Sequence, residues 1–416
     1  MAPSPETPTA RLAEGAATTR WLLAARVVRS IGQGAMVVDF ALYLHALRWS
    51  ATQISLVLSV ALLVGAVLTL LVGPLSDRIG RRGFLLGYEL VQALACLGAL
   101  LSANAWVVGI AGIVGGFGRG GNGAAGPFAP VEMAWLAQNV PTHARGQVYS
   151  INAAGGFAGM GVGAVLAASP GWFAAALPGA LAYRPLFLLA LLCSLACFAM
   201  LLPARDQMPT ARAAAPPIAE ERETRRRENA RMRRLALANA LNGIGIGLTG
   251  PLISYWFAVR FGKGPELIGP LMAISFVLTG MASLLAGRAA RAFGMVRAVV
   301  VMRLAGLVLL LALPFAPSFM LAALLYTARS VFNRGTTGAR SALSVSIVRS
   351  SRRGFAASMA NISMQIPRAV GPLLAGLLFA DGLLALPFLL GAAFQGGYIW
   401  IYGRSFRDVD PQAANS

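Results

Sequence analysis

Apolar runs long enough to cross a bilayer follow one another along this chain, parted by short loops that carry arginine. A helix rises about 1.5 Å per residue, so roughly 20 apolar residues match the hydrocarbon core of a membrane. Twelve spans are read, at 21–45, 51–73, 83–103, 105–127, 147–168, 185–203, 235–259, 267–287, 298–316, 319–342, 355–380 and 383–403. Lipid offers no partner to a bare backbone N–H or C=O, so each span is expected as a helix; a barrel would show short alternating segments instead. Of the 416 residues, 57% are hydrophobic and only 12% are charged. Soluble domains carry roughly 25% charged residues, and disordered chains are poor in apolar ones, so neither class fits. The chain reads as an all-α membrane protein with twelve transmembrane helices.

The net charge of +20 fits either a nucleic-acid binder or the positive-inside bias of a multispan protein. Position decides between them. With an even number of spans, both ends of the chain share one side. That side holds 23 of the 35 basic residues, the opposite loops hold 4, and 8 lie within spans. The basic residues follow topology rather than one surface. This argues against nucleic acid as a partner and places both termini in the cytoplasm, with the spans in the inner (plasma) membrane.

The polar opening segment 1–20 reads as a cytoplasmic tail. It is not expected to be a cleaved signal peptide, which would run from a short basic start straight into an apolar core. Residues 204–234 contain Pro216, Pro217 and a Glu- and Arg-rich run. They read as a cytoplasmic linker lying near anionic headgroups. It separates 21–203 from 235–403, six spans each, and 404–416 forms a second tail.

The two halves resemble each other. Gly73 and Gly80 recur as Gly287 and Gly294, an offset of 214; Arg119-Gly120-x-x-Gly123-Ala124 recurs as Arg334-Gly335-x-x-Gly338-Ala339, an offset of 215. Arg145, Gly146 and Gly163 recur as Arg353, Gly354 and Gly371, an offset of 208. Three matches in one order and at near-constant offset point to two pseudo-symmetric six-helix bundles, the trace of a repeat-built transporter with its binding site between the repeats. Cys96, Cys193 and Cys197 all lie in apolar runs and show no disulfide or metal spacing, so they are expected as small packed hydrophobes. No metal site is expected.

The loop after the second span reads Gly73-Pro-Leu-Ser-Asp77-Arg78-Ile-Gly80-Arg81-Arg82. It resembles the signature loop between helices 2 and 3 of the major facilitator superfamily, and the twelve spans, basic central loop and half-repeat extend the resemblance over nearly the whole chain. The particular likeness is to proton-coupled drug or metabolite exporters. A carboxylate at Asp77, beside a turn that Gly80 permits, can sit at the N-terminus of a helix. Gly73, Asp77, Arg78, Gly80 and Arg81 are therefore expected to form a latch, with the start of the eleventh span as partner. The competing reading is a set of arginines that only fixes orientation. Arg291 stands where Asp77 would be in the second half, so no latch is expected there.

Span 4 holds a glycine run around Arg119. The pattern Gly118-x-Gly120-x-x-Gly123 is nominally a dinucleotide fingerprint, but no strand precedes it and no acid follows at about 20 residues. It is closer to the superfamily's helix-4 motif, here Arg119, Asn122, Gly123 and Ala125. An arginine at that depth costs at least roughly 2.5 kcal/mol, so it must face a wet cavity or a partner. Asp39 is the clearest acid within a span. The resemblance implies that an acid on helix 1 and an arginine on helix 4 serve proton coupling, so Asp39 is expected as proton carrier and Arg119 as its modulator. Asp39 falls toward the outer face and Arg119 near the middle, so water can stand between them. A static buried pair, or an aspartate reaching outward to the headgroups, is the alternative.

Spans 1, 4, 7 and 10 would line the cavity by the same resemblance. Their polar residues Gln33, Asn122, Asn239, Asn242, Tyr255, Asn333 and Arg334 are the pocket candidates, each equally readable as a helix–helix hydrogen bond. Gly155, Gly159 and Gly163 form a close-packing face on span 5. Drug–proton antiporters of the superfamily usually carry Gly-Pro there, whereas here Gly-Pro appears on span 11 as Gly371-Pro372. The expected function is secondary active transport of a small organic compound by alternating access, as proton-coupled efflux, by a monomer that needs the proton gradient and no cofactor. The alternative is proton-coupled uptake of an organic anion or metabolite. An enzyme would need a polar cluster at one membrane face, and His45 and His143 fall on opposite sides.

Overall fold

The computed structural model describes residues 8–119, 126–141, 144–204, 206, 222–293, 295–336, 340, 343, 347–349 and 352–406; within its helices the side chains of 8–14, 73–75, 77, 78, 222–224, 283–293, 295, 335 and 353–355 are excepted. The first half comprises α1 (Pro8–Ala46), α2 (Ala51–Ile79), α3 (Arg81–Leu101), α4 (Ala105–Gly115), α5 (Ala129–Asn139), α6 (Arg145–Leu166), the short α7 (Ser169–Phe173) and α8 (Arg184–Leu201). The second comprises α9 (Arg222–Thr249), α10 (Ile253–Phe261), α11 (Pro265–Phe293), α12 (Met295–Ala312), α13 (Phe319–Gly335), α14 (Arg353–Ala380) and α15 (Leu386–Ser405). Nine stretches of described helix are long and apolar enough to cross a membrane, and α4 is apolar but shorter.

Local sequence accounts for several boundaries. Ser50 starts α2 with a reciprocal cap, its hydroxyl accepting from Gln53 N while the Gln53 side chain accepts from Ser50 N. Asn104 caps α4 through Trp106 N. Span 4 differs from the single helix expected over 105–127. It ends at Gly116, where φ is 62°, and Gly118 follows at 83°. Both angles lie in the left-handed region that glycine enters without a Cβ penalty, so the glycine run ends the helix there. The chain resumes as α5, which reaches Asn139. Span 7 is likewise divided, between α9 and α10 at Gly250–Leu252.

The helix pairings repeat between the halves. In the first, α1 packs on α6 and α8, α3 on α8 and α4, and α2 on α4. In the second, α9 packs on α14 and α15, α12 on α15 and α13, and α11 on α13. Each pairing maps onto its counterpart when span n is replaced by span n + 6. The contacts between the halves obey the same rule, with α2 against α14 and α6 against α11. The glycine face of span 5 is used as its spacing suggests. Gly159 and Gly163 lie against the backbone of α1 at Val27 and Ile31, and in the second half Gly371 lies against Gly247 of α9. A side chain at any of these places would enter backbone.

We call the side on which α1 begins and α15 ends the near side, and the opposite one the far side. At the far side the two halves share one apolar core, which joins Phe40 and Tyr43 of α1 and Met160 of α6 to Trp256 of α10, Phe276 of α11 and Phe379 of α14. At the near side the cores are separate. One holds Phe84, Phe128, Trp135 and Leu201, the other Met232, Val299, Tyr398 and Phe406. The halves are therefore closed together at the far end and packed independently at the near end.

Candidate substrate and coupling site

The first half buries a compact ionic cluster. Arg29 Nε donates to Glu89 Oε1 at 2.5 Å and its NH1 to Glu132 Oε2 at 2.6 Å, with all three residues buried. Asn152 Nδ2 donates to Glu132 Oε1 at 2.9 Å. The guanidinium carbon of Arg29 lies 4.3 Å from the centroid of Phe128, and that of Arg26 5.5 Å from the same ring. Four helices (α1, α3, α5 and α6) are tied together by these contacts. Glu132 was not among the sequence-derived candidates, because span 4 was read as ending at 127. The signal for it was an acid isolated in the apolar stretch 126–136.

Arg119 sits just past the break in span 4. Its NH2 donates to Val114 O at 3.1 Å, and its NH1 is buried without a hydrogen-bond partner. It borders two cavities. One, of about 30 Å³, lies within the first half and is also lined by Gln33, Tyr88 and Phe117. The other, of about 20 Å³, lies between the halves and is also lined by Thr69, Gln365 and Arg368. Each has room for a water molecule or two.

Asp39 is 1% exposed, and neither carboxylate oxygen has a hydrogen-bond partner. Its ionisable neighbours are Tyr183 and, across the junction of the halves, Glu266 at the start of α11. The structure does not join Asp39 to Arg119 by a hydrogen bond. Tyr255 packs edge-on against His45, centroids 5.2 Å apart, and so belongs to the far-side closure.

The remaining pocket candidates are held by neighbours. Asn239 donates to Ala360 O at 3.1 Å and accepts from Arg340 NH2 at 3.2 Å. Asn242 accepts from Arg303 NH1 at 3.1 Å. Asn333 Oδ1 accepts from Gln395 Nε2 at 3.3 Å. These three make the helix–helix contacts that were the alternative reading. Arg334 is 9% exposed, with its guanidinium 5.3 Å from the Phe276 centroid. Arg329 NH2 donates to Thr249 Oγ1 at 3.2 Å. Asn122 lies outside the described residues.

Around the signature loop, Gly80 adopts φ 79° and separates α2 from α3. At the start of α3 the carboxylate of Asp206 caps the helix, its Oδ2 accepting from Arg81 N at 2.6 Å and Arg82 N at 3.3 Å. Arg81 NH1 donates to Ala134 O at 2.9 Å. Gly73 and the side chains of Asp77 and Arg78 lie outside the described set. In the second half, Glu228 precedes the apolar part of α9 and binds Arg349 Nε at 2.9 Å and Arg352 NH1 at 2.7 Å. Burial opposes its ionisation, yet the hydrogen bonds from Arg349 and Arg352 prevail and bring its carboxyl down to about 2.

Two six-helix bundles related by a repeat, closed at one end around central polar side chains, define a membrane carrier. A family model described as Major Facilitator Superfamily matches residues 22–232 and 235–416. The chain belongs to this superfamily; it is a transporter and not an enzyme. Solved structures share the fold. A mutant of the nucleoside transporter NupG superposes with a TM-score of 0.75 at 13% identity, covering 94% of this chain and 100% of that one. A bacterial homolog of the human lysosomal transporter Spinster, in an inward-facing and occupied conformation, gives 0.70 at 14% identity, covering 94% and 96%. The same homolog, unoccupied, gives 0.65 at 15% identity, covering 97% and 94%. No curated protein matches the sequence.

Proposed function

We propose that this chain is a proton-coupled secondary transporter that exports a small organic compound across the plasma membrane by alternating access, as a monomer with both termini cytoplasmic. Asp39 carries the reading. A buried carboxyl with no hydrogen-bond partner, placed where the halves close, is a group that water would reach when the far side opens. It then exchanges its proton with that side, and reclosure isolates it again. The excess of arginine on the near side supports the cytoplasmic termini. Export rests on the likeness of the span-4 motif to that of proton-coupled exporters. The proton gradient is the only driving force invoked, with no metal or organic cofactor. The loop with Gly73, Asp77, Arg78, Gly80 and Arg81 is assigned the latch. Arg119 is assigned to the central cavity, where its influence on Asp39 would pass through water.

The test compares everted vesicles with whole cells. Export predicts uncoupler-sensitive accumulation in the vesicles and net loss from the cells. Asp39→Asn should abolish the gradient-driven component while leaving exchange of labelled for unlabelled substrate. Proton-driven flux that survives in Asp39→Asn would sink the assignment. A second reading, uptake of an organic anion, is favoured by the buried arginines of the second half and predicts the opposite direction.

A further inference from the structure

The cavity between the halves has a charge imbalance that transport alone does not explain. Arg368 is 3% exposed, faces this cavity, and has an Nε without a partner. Its NH1 reaches only Gln365 Oε1, at 3.5 Å. Arg119 faces the same space from the first half, with NH1 unpartnered. Among the described residues neither forms an ion pair. Among the described residues the other polar side chains on the wall are neutral: Gln365, and Thr69, whose hydroxyl donates to Gly65 O.

The surroundings add positive charge. Arg334 is the charged neighbour of Arg368, and Arg329 is a neighbour of Arg334. The only acids in 235–403 are Glu266 and Asp381, both at far-side helix ends. A guanidinium taken out of water is costly unless a counter-charge or hydrogen-bond acceptors replace the water. Two guanidinium forks opening on one space fit the oxygens of a carboxylate or phosphate, which are acceptors only.

We infer that this cavity is an anion subsite, in which Arg119 and Arg368 grip a carboxylate or phosphate group of the transported compound from opposite halves. The inference rests on the transporter reading and names its substrate class. The space accepts the anionic head, and the body of the ligand extends toward the near side, where the halves part. A ligand held by both halves couples its own binding to their relative position, because it bridges them in one arrangement and loses a partner in the other.

The full-length protein in uncharged detergent would be titrated with matched pairs: benzoate and benzamide, succinate and succinamide, phenyl phosphate and phenol. Melting temperature is the readout. At least one acid should stabilise the protein and its neutral partner should not. Arg368→Gln should weaken that acid about tenfold or more, Arg119→Gln should do likewise, and Arg368→Lys should recover part of the loss. If Arg368→Gln does not fold, the Lys variants at both positions give the same comparison. The inference falls if no acid shifts the melt, if a neutral partner shifts it equally, or if both Gln variants bind normally. It also falls if only dihexanoyl-phosphatidylglycerol acts, since the site would then read lipid headgroups. Flux of the bound acid in proteoliposomes separates the two ideas. Acid binding without flux removes the proposed export of that acid and keeps the anion subsite; flux of neutral compounds without acid binding does the reverse.

Discussion

At one pair of equivalent positions, the two halves do opposite things with charge. In the first, Arg29 of α1 meets Glu89 of α3 at 2.5 Å. In the second, the corresponding helices α9 and α12 meet through Asn242 and Arg303, at 3.1 Å. Glu89 and Arg303 are 214 residues apart, the repeat offset seen at the signature glycines. The same scaffold therefore holds a full ion pair on one side and a cation on a neutral amide on the other. Glu132 completes the balance in the first half, whereas the spans of the second bury Arg303, Arg329, Arg334 and Arg368 and contain no Asp or Glu in their own sequence. Around this cluster the first half pairs its buried cation with acids, where the second half answers it with neutral amides and hydroxyls.

The largest effect should come from breaking the ionic cluster. Glu132→Ala leaves Arg29 buried with one partner gone, which should cost about 3–5 kcal/mol and be visible as a large drop in the melting temperature in detergent. Arg303→Met, at the matching place in the second half, strands no charge and should cost about 1 kcal/mol. Equal losses would end the contrast between the halves.

Close packing is the feature the halves share. Gly163→Leu and Gly371→Leu each force a side chain into a neighbouring backbone and should each cost about 1–3 kcal/mol. A loss confined to one half would show that the crossings are not equivalent.

Next is Glu228, bound to Arg349 and Arg352. Its carboxyl lies near 2 in the folded protein, below the ordinary value of about 4.3. The stability it contributes is present above that ordinary value and is lost as pH falls from there through about 2. Glu228→Gln should therefore lower the melting temperature at pH 7, and its curve should meet that of the unaltered protein at the acid end. Parallel curves at all pH values would remove the charge from the explanation. The smallest effect is expected at Ser50, where Ser50→Ala removes one cap and should cost about 1 kcal/mol.

Most of the architecture could be read from the chain. Apolar length outlined the spans, and the offsets near 210 announced the repeat that the helix pairings display. Span 4 could not be read so well. Hydropathy passes smoothly over Gly115–Gly126, because glycine is neither polar nor a stop signal by itself; only the positive φ of Gly116 and Gly118 shows that the helix ends there. Moving that end brought Glu132 inside the protein. Asn239 and Asn242 were selected for polarity on cavity-lining spans, but polarity does not say which neighbour answers it, and their partners lie about 60 to 120 residues away. Arg368 was not among the candidates; only the structure shows that it shares a wall with Arg119.

The far-side seal is oily, while the near side carries ion pairs such as Glu228 with Arg349. Cooling weakens apolar cohesion and leaves such pairs largely intact, whereas added salt screens exposed charge and spares oil. Temperature thus acts on the contact between the halves, and ionic strength on a tie within the second half. A chilled sample should lean toward release of the oily seal, and a warm one should rest with it shut, whatever the ionic strength.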